Sequence, residues 1–246
     1  MTMYEPRHDT QYEPRTWSSS LDCNMAAAAD VARFYSLGLI DHGHDYYRKL
    51  TGDSSGGTNI DQAHDVLEKA GVQVAAVYDA LDGKTWADVR AALTGGSMVI
   101  AHGDYGTVPR ALRGALDRTF QGWHSVALGR LAVITQDRSV RVGDGLSDPW
   151  TWWPEDVANA YMRDFPGGGY TYLVVTPRKL KASVPVANVR PEPNRQHPRY
   201  AVIKPTSRVH FGGTVRGEVI GHNGVWYRVW VKDRIGYVHS SVARPA

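Results

Sequence analysis

"TWSSSLDCNMAAAADVARF", Thr16 to Phe34, decides how this chain is read. It holds Cys23, the single cysteine of 246 residues, where a run of small residues begins a helix spanning roughly Asn24 to Ser36. With Cys23 in the first turn, Ala26, Ala27, Asp30, Val31 and Phe34 fall on its helix face. Alanine at the near positions lets another element pack beside the thiol. Ser18 to Asp22 offer hydroxyls and a carboxylate to cap the free N–H groups. The positive end of the helix dipole favours thiolate, and the same N–H groups can hold a developing oxyanion. Two readings stand at this point. Cys23 is a small buried hydrophobe, or a nucleophile activated by the helix end.

A nucleophilic thiol needs a base, and the base needs a group to orient it. His124 in "GWHSVAL" stands at the start of an apolar strand after a Gly-rich loop. A strand start projects a side chain at the rim of a sheet. The next strand, "SVRVGDG", ends in Asp144. Antiparallel neighbours place His124 and Asp144 at one edge, where the carboxylate would fix the imidazole tautomer. Taken singly, His124 reads as a core or surface histidine and Asp144 as a turn residue.

The rest of the chain frames these residues. "GGTNIDQAHDVLEKAG" is a helix capped by Thr58 or Asn59, with Ile60, Ala63, Val66, Leu67 and Ala70 as its apolar stripe and Gly71 after it. "VQVAAVY" is a strand, "TWADVRAALTGG" a short capped helix, and "SMVIAHG" a largely apolar, central strand. Asp104 to Gln121 reads as loop with one helical turn. "WPEDVANAYMRDF" is a helix with Pro154 near its first turn, and "YTYLVV" a last strand. Trp150, Trp152 and Trp153 line a groove or cover the sheet edge. Helices first and strands afterwards predict an α+β domain.

From Thr176 the composition shifts. "TPRKLKASVPVANVRPEPNRQHPRY" is rich in Pro, Arg and Lys and reads as a linker over residues 178–198. Residues 199–246 alternate apolar and polar positions, with "FGG", "HNG" and "KDRIG" as turn signals, and predict a small all-β barrel. Residues 1–16 read as an arm, and 17–177 as the main domain.

Apolar residues make up 42% of the chain and charged residues 22%, an ordinary balance for a globular protein. The net charge of +3 is scattered rather than striped, which argues against a nucleic-acid partner and suits an anionic polymer. One cysteine excludes a disulfide framework and a Cys-rich zinc site. The N-terminal residues show no apolar segment of a signal peptide, and no stretch reaches transmembrane length. Synthesis in a cytoplasm, without a membrane partner, is the expectation. "DHGHD", Asp41 to Asp45, carries His42 and His44 but no third ligand, so a solvated loop is expected rather than a metal site. "SSGG" with Thr58 lacks the Lys-Ser/Thr of a phosphate loop. No metal and no cofactor are expected.

The order Cys, His, Asp resembles that of papain-like cysteine peptidases. In detail the chain resembles the bacteriocin-processing, double-glycine leader peptidase family, in the form found in actinobacterial phages and their hosts. Four stretches carry the resemblance over roughly residues 17 to 177: "DCNMAAAADVARFY", "GGTNIDQAHDVLEKAGV", "HGDYG" with "FQGWHSVAL", and "VRVGDGLSDPWTWWP". It implies Cys23 as nucleophile, His124 as base and Asp144 as orienter. The family usually has Asp-Pro on the third strand. Here Asp144 precedes Gly145, and Asp148 precedes Pro149, which makes Asp148 the second choice. The family's Gln upstream of the cysteine has no counterpart; Trp17, Ser18 and Ser19 occupy that region, and Gln11 lies too far upstream. A Ser18 or Ser19 hydroxyl, or a backbone N–H, is the oxyanion candidate.

The C-terminal residues "GVWYRVWVKDRIGYVHSSV" resemble a bacterial SH3-like domain. That resemblance implies peptidoglycan as partner, with Trp226, Tyr227, Trp230 and Tyr237 as contacts, though alternate aromatics also fill small barrels. The combined expectation is a phage-type cysteine peptidase that cleaves amide bonds in peptidoglycan peptides. It would act at the bacterial wall as an endolysin released at lysis or as a tail lysin beside other tail proteins. The alternatives are a catalytically inactive tail or wall-binding protein of the same fold, and a peptidase that processes a defined polypeptide.

Overall fold

The computed structural model describes residues 23–37, 59–69, 71–134, 136–146, 150–163 and 168–246. These residues fall into two compact units. One contains Cys23–Ala32 and the described residues from 59 to 176; the other contains Arg33–Leu37 and residues 177–246.

The first unit is α+β. Its helices are α1 (Cys23–Ser36), of which Cys23–Ala32 belong to this unit, α2 (Ile60–Lys69), α3 (Trp86–Thr94) and α4 (Glu155–Arg163). Its strands are β1 (Gln73–Tyr78), β2 (Met98–Asp104), β3 (Trp123–Ile134), β4 (Asp137–Asp144), β5 (Thr151–Pro154) and β6 (Tyr172–Thr176). They form one sheet in the order β1-β6-β2-β3-β4-β5, antiparallel at every pairing. The apolar run "SMVIAHG" is an interior strand, as its composition predicts.

Caps explain where the helices begin. Asn59 accepts from the Gln62 amide at 2.9 Å while Gln62 reaches back to the Asn59 amide at 2.8 Å, opening α2. Thr85 and Asp88 form the same box for α3, and Gly95 follows its end. Ala63, Val66 and Leu67 are the buried stripe of α2. Thr58 and Ala70, read as cap and stripe, lie outside the described residues. So does "DHGHD".

Each face of the sheet is covered, and strand alternation decides what meets each helix. Val99, Ala101, Val126, Leu128, Val140 and Val142 share one face with Trp86, Val89 and Leu93 of α3 and Ala158, Tyr161 and Met162 of α4 in a single buried cluster. The opposite face presents Ser125, whose hydroxyl meets Asn24 of α1, and Gly143, which lies against Asp30 of α1 and Trp150. The near-zero exposure of Ala26 to Ala29 fits the close approach that small residues allow. Trp153 is fully buried and Trp150 nearly so, while Trp152 lies under the guanidinium groups of Arg130 and Arg141. The tryptophans of the edge strand therefore cover the sheet.

Gly103 sits where β2 passes α4. A Cβ there would lie 2.1 Å from the Tyr161 carbonyl oxygen. Gly103→Ala is expected to cost about 1–3 kcal/mol through backbone displacement. A urea midpoint unchanged from the parent would contradict that close approach.

The second unit holds β7 (Lys179–Ala182), β8 (Ala187–Val189), β9 (Ala201–Ile203), β10 (Val209–Ile220), β11 (Asn223–Val231), β12 (Arg234–His239) and β13 (Ala243–Pro245). A five-stranded sheet runs β12-β11-β10-β7-β13, and β8 pairs with β9. Residues 178–198, expected as a linker, are a correction. Leu180, Ala182, Ala187 and Val189 are buried in the core with Phe211, Val229 and Val238. Their short alternating runs are masked in the sequence by surrounding Pro, Lys and Arg. "FGG" is likewise not a turn. Phe211 to Gly213 make a bulge inside β10, where glycine accommodates a local kink. "KDRIG" does turn: Lys232 and Asp233 both take positive φ and close the two-residue β11–β12 hairpin.

Candidate active site

Cys23 opens α1, partly exposed, while the residues after it are buried. His124 lies on β3 and is 2% exposed; Asp144 ends β4 and is fully buried. Asp144 is directly opposite Val126, two residues along from His124 on the same face. That register turns sequence spacing into contact. His124 Nε2 lies 2.8 Å from Asp144 Oδ1. The other ring nitrogen is left for the Cys23 thiol, which hydrogen-bonds the imidazole. The three residues form one chain from sulfur to carboxylate.

The carboxylate is held from several sides. The Leu146 amide donates to Oδ1 at 2.9 Å, and the Tyr105 hydroxyl donates to Oδ2. Tyr105 in turn accepts from the Gly114 amide at 2.7 Å. Its ring packs edge-on to His124 with centroids 4.8 Å apart, and Phe120 adds a second aromatic contact at 5.6 Å. The Tyr105–Phe120 loop contains two short 3₁₀ turns, Tyr105–Thr107 and Arg110–Leu112. Arg113 pins it by donating to the carbonyls of Gly106 and Val108 at 2.8 Å each. From the other side Tyr161 of α4 donates to the His124 carbonyl at 2.6 Å.

This arrangement sets the charges. Burial opposes ionisation of Cys23, but the imidazole of His124 and the hydroxyl and amide of Ser125 outweigh it, so the thiol ionises below its ordinary range. Burial likewise disfavours the His124 cation. The Asp144 and Cys23 hydrogen bonds and charges overcome that and raise its pKa to about 10. Asp144 is held low by His124, Tyr105 and the Leu146 amide despite its burial. The imidazole and the carboxylate thus shift the balance toward the charged form, thiolate with imidazolium and carboxylate, over the neutral one.

Tyr105→Phe should remove a donor to Asp144 and strand the Gly114 amide. A loss of about 1–3 kcal/mol at neutral pH is expected. The bond lowers the Asp144 pKa, so its contribution is present above 3.8 and fades as pH falls through the lower folded value. A stability difference that stays constant into that acid range would contradict a charge-assisted bond.

Of the expected site residues, Cys23, His124 and Asp144 are brought together. Asp148, Ser18 and Ser19 lie outside the described residues, as do Gln11 and Trp17. In the C-terminal unit, β11 places Trp226 and Trp230 on the sheet face that also carries Tyr237, while Tyr227 turns to the other face, toward the buried cluster of Val229 and Val238, and packs on Phe211 at 5.5 Å. Trp226 is 1% exposed and donates its indole N–H to the Glu218 carbonyl at 3.0 Å, so it is a core residue. Sequence reasoning missed Tyr105, Tyr161, Asn24, His102 and Ser125. A histidine in the apolar strand "SMVIAHG", directly opposite Ser125, was the available signal.

No protein-family model and no curated protein matches this chain. Among solved structures it is similar to a protein described as a C39-like peptidase from Bacillus anthracis, at 13% identity and a TM-score of 0.42, covering 68% of this chain and 93% of that one. It is also similar to the protein Ly7917, at 12% identity and a TM-score of 0.22, covering 60% of this chain and 61% of that one. These likenesses are too loose to bear on function. Among the described residues no helix is long and apolar enough to cross a membrane, and no cluster of metal-ligating side chains occurs.

Proposed function

We propose that the chain is a cysteine peptidase of papain-like arrangement, acting on amide bonds of bacterial peptidoglycan peptides as a phage-type lysin. The observation that carries the reading is the hydrogen-bonded chain from the Cys23 thiol through His124 to the buried Asp144 carboxylate. A single cysteine at a helix start, paired with an oriented imidazole, is what nucleophilic acyl transfer needs.

The steps follow from the groups present. The Cys23 thiolate attacks the amide carbonyl, forming a C–S bond and a tetrahedral oxyanion near the start of α1. Collapse breaks the C–N bond, and the imidazolium of His124 gives its proton to the departing amine. The neutral imidazole then takes a proton from water, whose oxygen attacks the thioester. Breaking the C–S bond releases the carboxylic acid and restores the thiolate. Asp144 keeps the imidazole oriented and balances its charge throughout.

The wall as substrate is supported by the mildly basic chain and by the C-terminal β module's likeness to SH3-like domains. There Trp230 and Tyr237, partly exposed on one sheet face, would meet the wall peptide and raise its local concentration. The test is incubation of the full chain with purified actinobacterial walls. New amino termini without new reducing sugars are expected, and their release should depend on Cys23. Release of sugars instead, or no release from walls alongside cleavage of a polypeptide, would overturn the wall-peptidase reading. Binding without any bond cleavage would favour the inactive wall-binding alternative.

A further inference from the structure

We propose that Ser125 is a second hydrogen-bond donor to the Cys23 thiolate, positioned by Asn24 and His102 from the face of the sheet opposite Asp144. This rests on the reading of Cys23 as the nucleophile. It assigns a role to three buried polar residues that the Cys–His–Asp chain leaves unused.

The geometry comes from alternation along β3. His124 turns toward the face of α4, whereas Ser125 turns toward the face that meets α1. Ser125 is directly opposite His102 in the β2–β3 ladder, so their side chains share that face. Ser125 Oγ lies 2.8 Å from Asn24 Oδ1 and 3.2 Å from His102 Nδ1. Asn24, Ser125 and His102 are all buried. Ser125 follows His124 on β3, and its hydroxyl is held on Asn24, the residue next to Cys23 on the helix, so the cluster lies beside the thiol, whose ionisation the Ser125 hydroxyl and amide favour. One strand therefore brings two successive residues to the thiol.

Hydrogen-bond accounting explains why all three are needed. A serine hydroxyl has one proton and two lone pairs. With its proton on Asn24 Oδ1, it has none for sulfur. Turning the Asn24 carboxamide exchanges that acceptor for an N–H donor. The hydroxyl proton is then free to point at sulfur, while its lone pairs accept from Asn24 and from His102 Nδ1–H. His102 can play this part because it remains neutral: burial and the nearby His124 charge hold its pKa to about 4. It supplies a donor without adding a competing cation. The other titratable groups around the thiol are His124, with Asp144 and the Tyr161 hydroxyl beyond it.

The test is the pH dependence of alkylation of the full chain by iodoacetamide. The single cysteine makes every rate a Cys23 rate. Ser125→Ala should move the alkylation midpoint up by about one pH unit, lowering the rate roughly tenfold on the acid limb with little change on the alkaline plateau. Ser125→Thr, which keeps the hydroxyl, should restore the parent profile. His102→Leu should move the midpoint in the same direction by a smaller step, and it carries the test if Ser125→Ala does not fold. Profiles of Ser125→Ala and His102→Leu that superimpose on the parent, while His124→Ala shifts, would overturn the Ser125 proposal and leave the imidazole pair standing. No shift in His124→Ala would overturn the nucleophile reading itself.

Discussion

Cys23→Ala is expected to abolish amide hydrolysis while leaving the protein folded. Loss of the nucleophile removes the only atom able to form the covalent intermediate, so the fall should be at least about 10⁴-fold. The fold should survive because the helix is anchored by other residues: Met25, Ala26, Ala27 and Ala28 are buried, whereas Cys23 is partly exposed. Removing one sulfur there should cost about 1 kcal/mol. His124 retains Asp144 as partner at 2.8 Å, so no isolated charge is created. Activity is read on purified walls and folding by circular dichroism. Wall cleavage equal to the parent's would sink the enzyme reading.

Asp144→Asn should damage both activity and stability. The carboxylate accepts from His124, Tyr105 and Leu146 with no exposure to solvent. A carboxamide keeps one acceptor oxygen and turns an N–H toward groups that are themselves donors. The imidazole loses its fixed tautomer and its counter-charge, for which a fall of about 10³–10⁴ in kcat is expected. Breaking a buried pair costs about 3–5 kcal/mol. The direction with pH follows from the shifts. The folded pKa of Asp144 is depressed, so its contribution is present above 3.8 and is lost as pH falls through the lower folded value. The folded pKa of His124 is raised, so its contribution is full below 6.5 and is lost as pH rises through about 10. The stability gap between parent and Asp144→Asn should therefore be widest between these limits and close toward strong acid. Denaturant titrations across pH read that gap. A gap of equal size in strong acid would contradict the ionised pair.

Cys23, His124 and Asp144 could be singled out in the sequence because each stands at an element boundary. Cys23 precedes an alanine run, His124 opens an apolar strand, and Asp144 closes the next one. Period and turn chemistry put His124 and Asp144 near the ends of neighbouring strands; the β3–β4 register makes the contact, and the family resemblance tied both to Cys23. Asn24, His102 and Ser125 were not legible in this way. Their meeting depends on the β2–β3 register, which alternation alone does not fix. Tyr105 lies in a loop held by Arg113 bonds to backbone carbonyls, and no periodicity announces those. Leu180 to Val189 were read as linker because Pro, Lys and Arg dominate the composition. The few apolar residues between them supply a core face in strands only three or four residues long.

The central claim is that Cys23 exists as a thiolate paired with the His124 imidazolium. Thiolate absorbance of the single cysteine, followed against pH in the parent and in His124→Ala, tests it most directly. The parent should titrate below the ordinary thiol value of 9.0, and His124→Ala should titrate at or above it. A parent thiol that titrates at 9.0 or higher, unmoved by loss of the imidazole, would contradict the account.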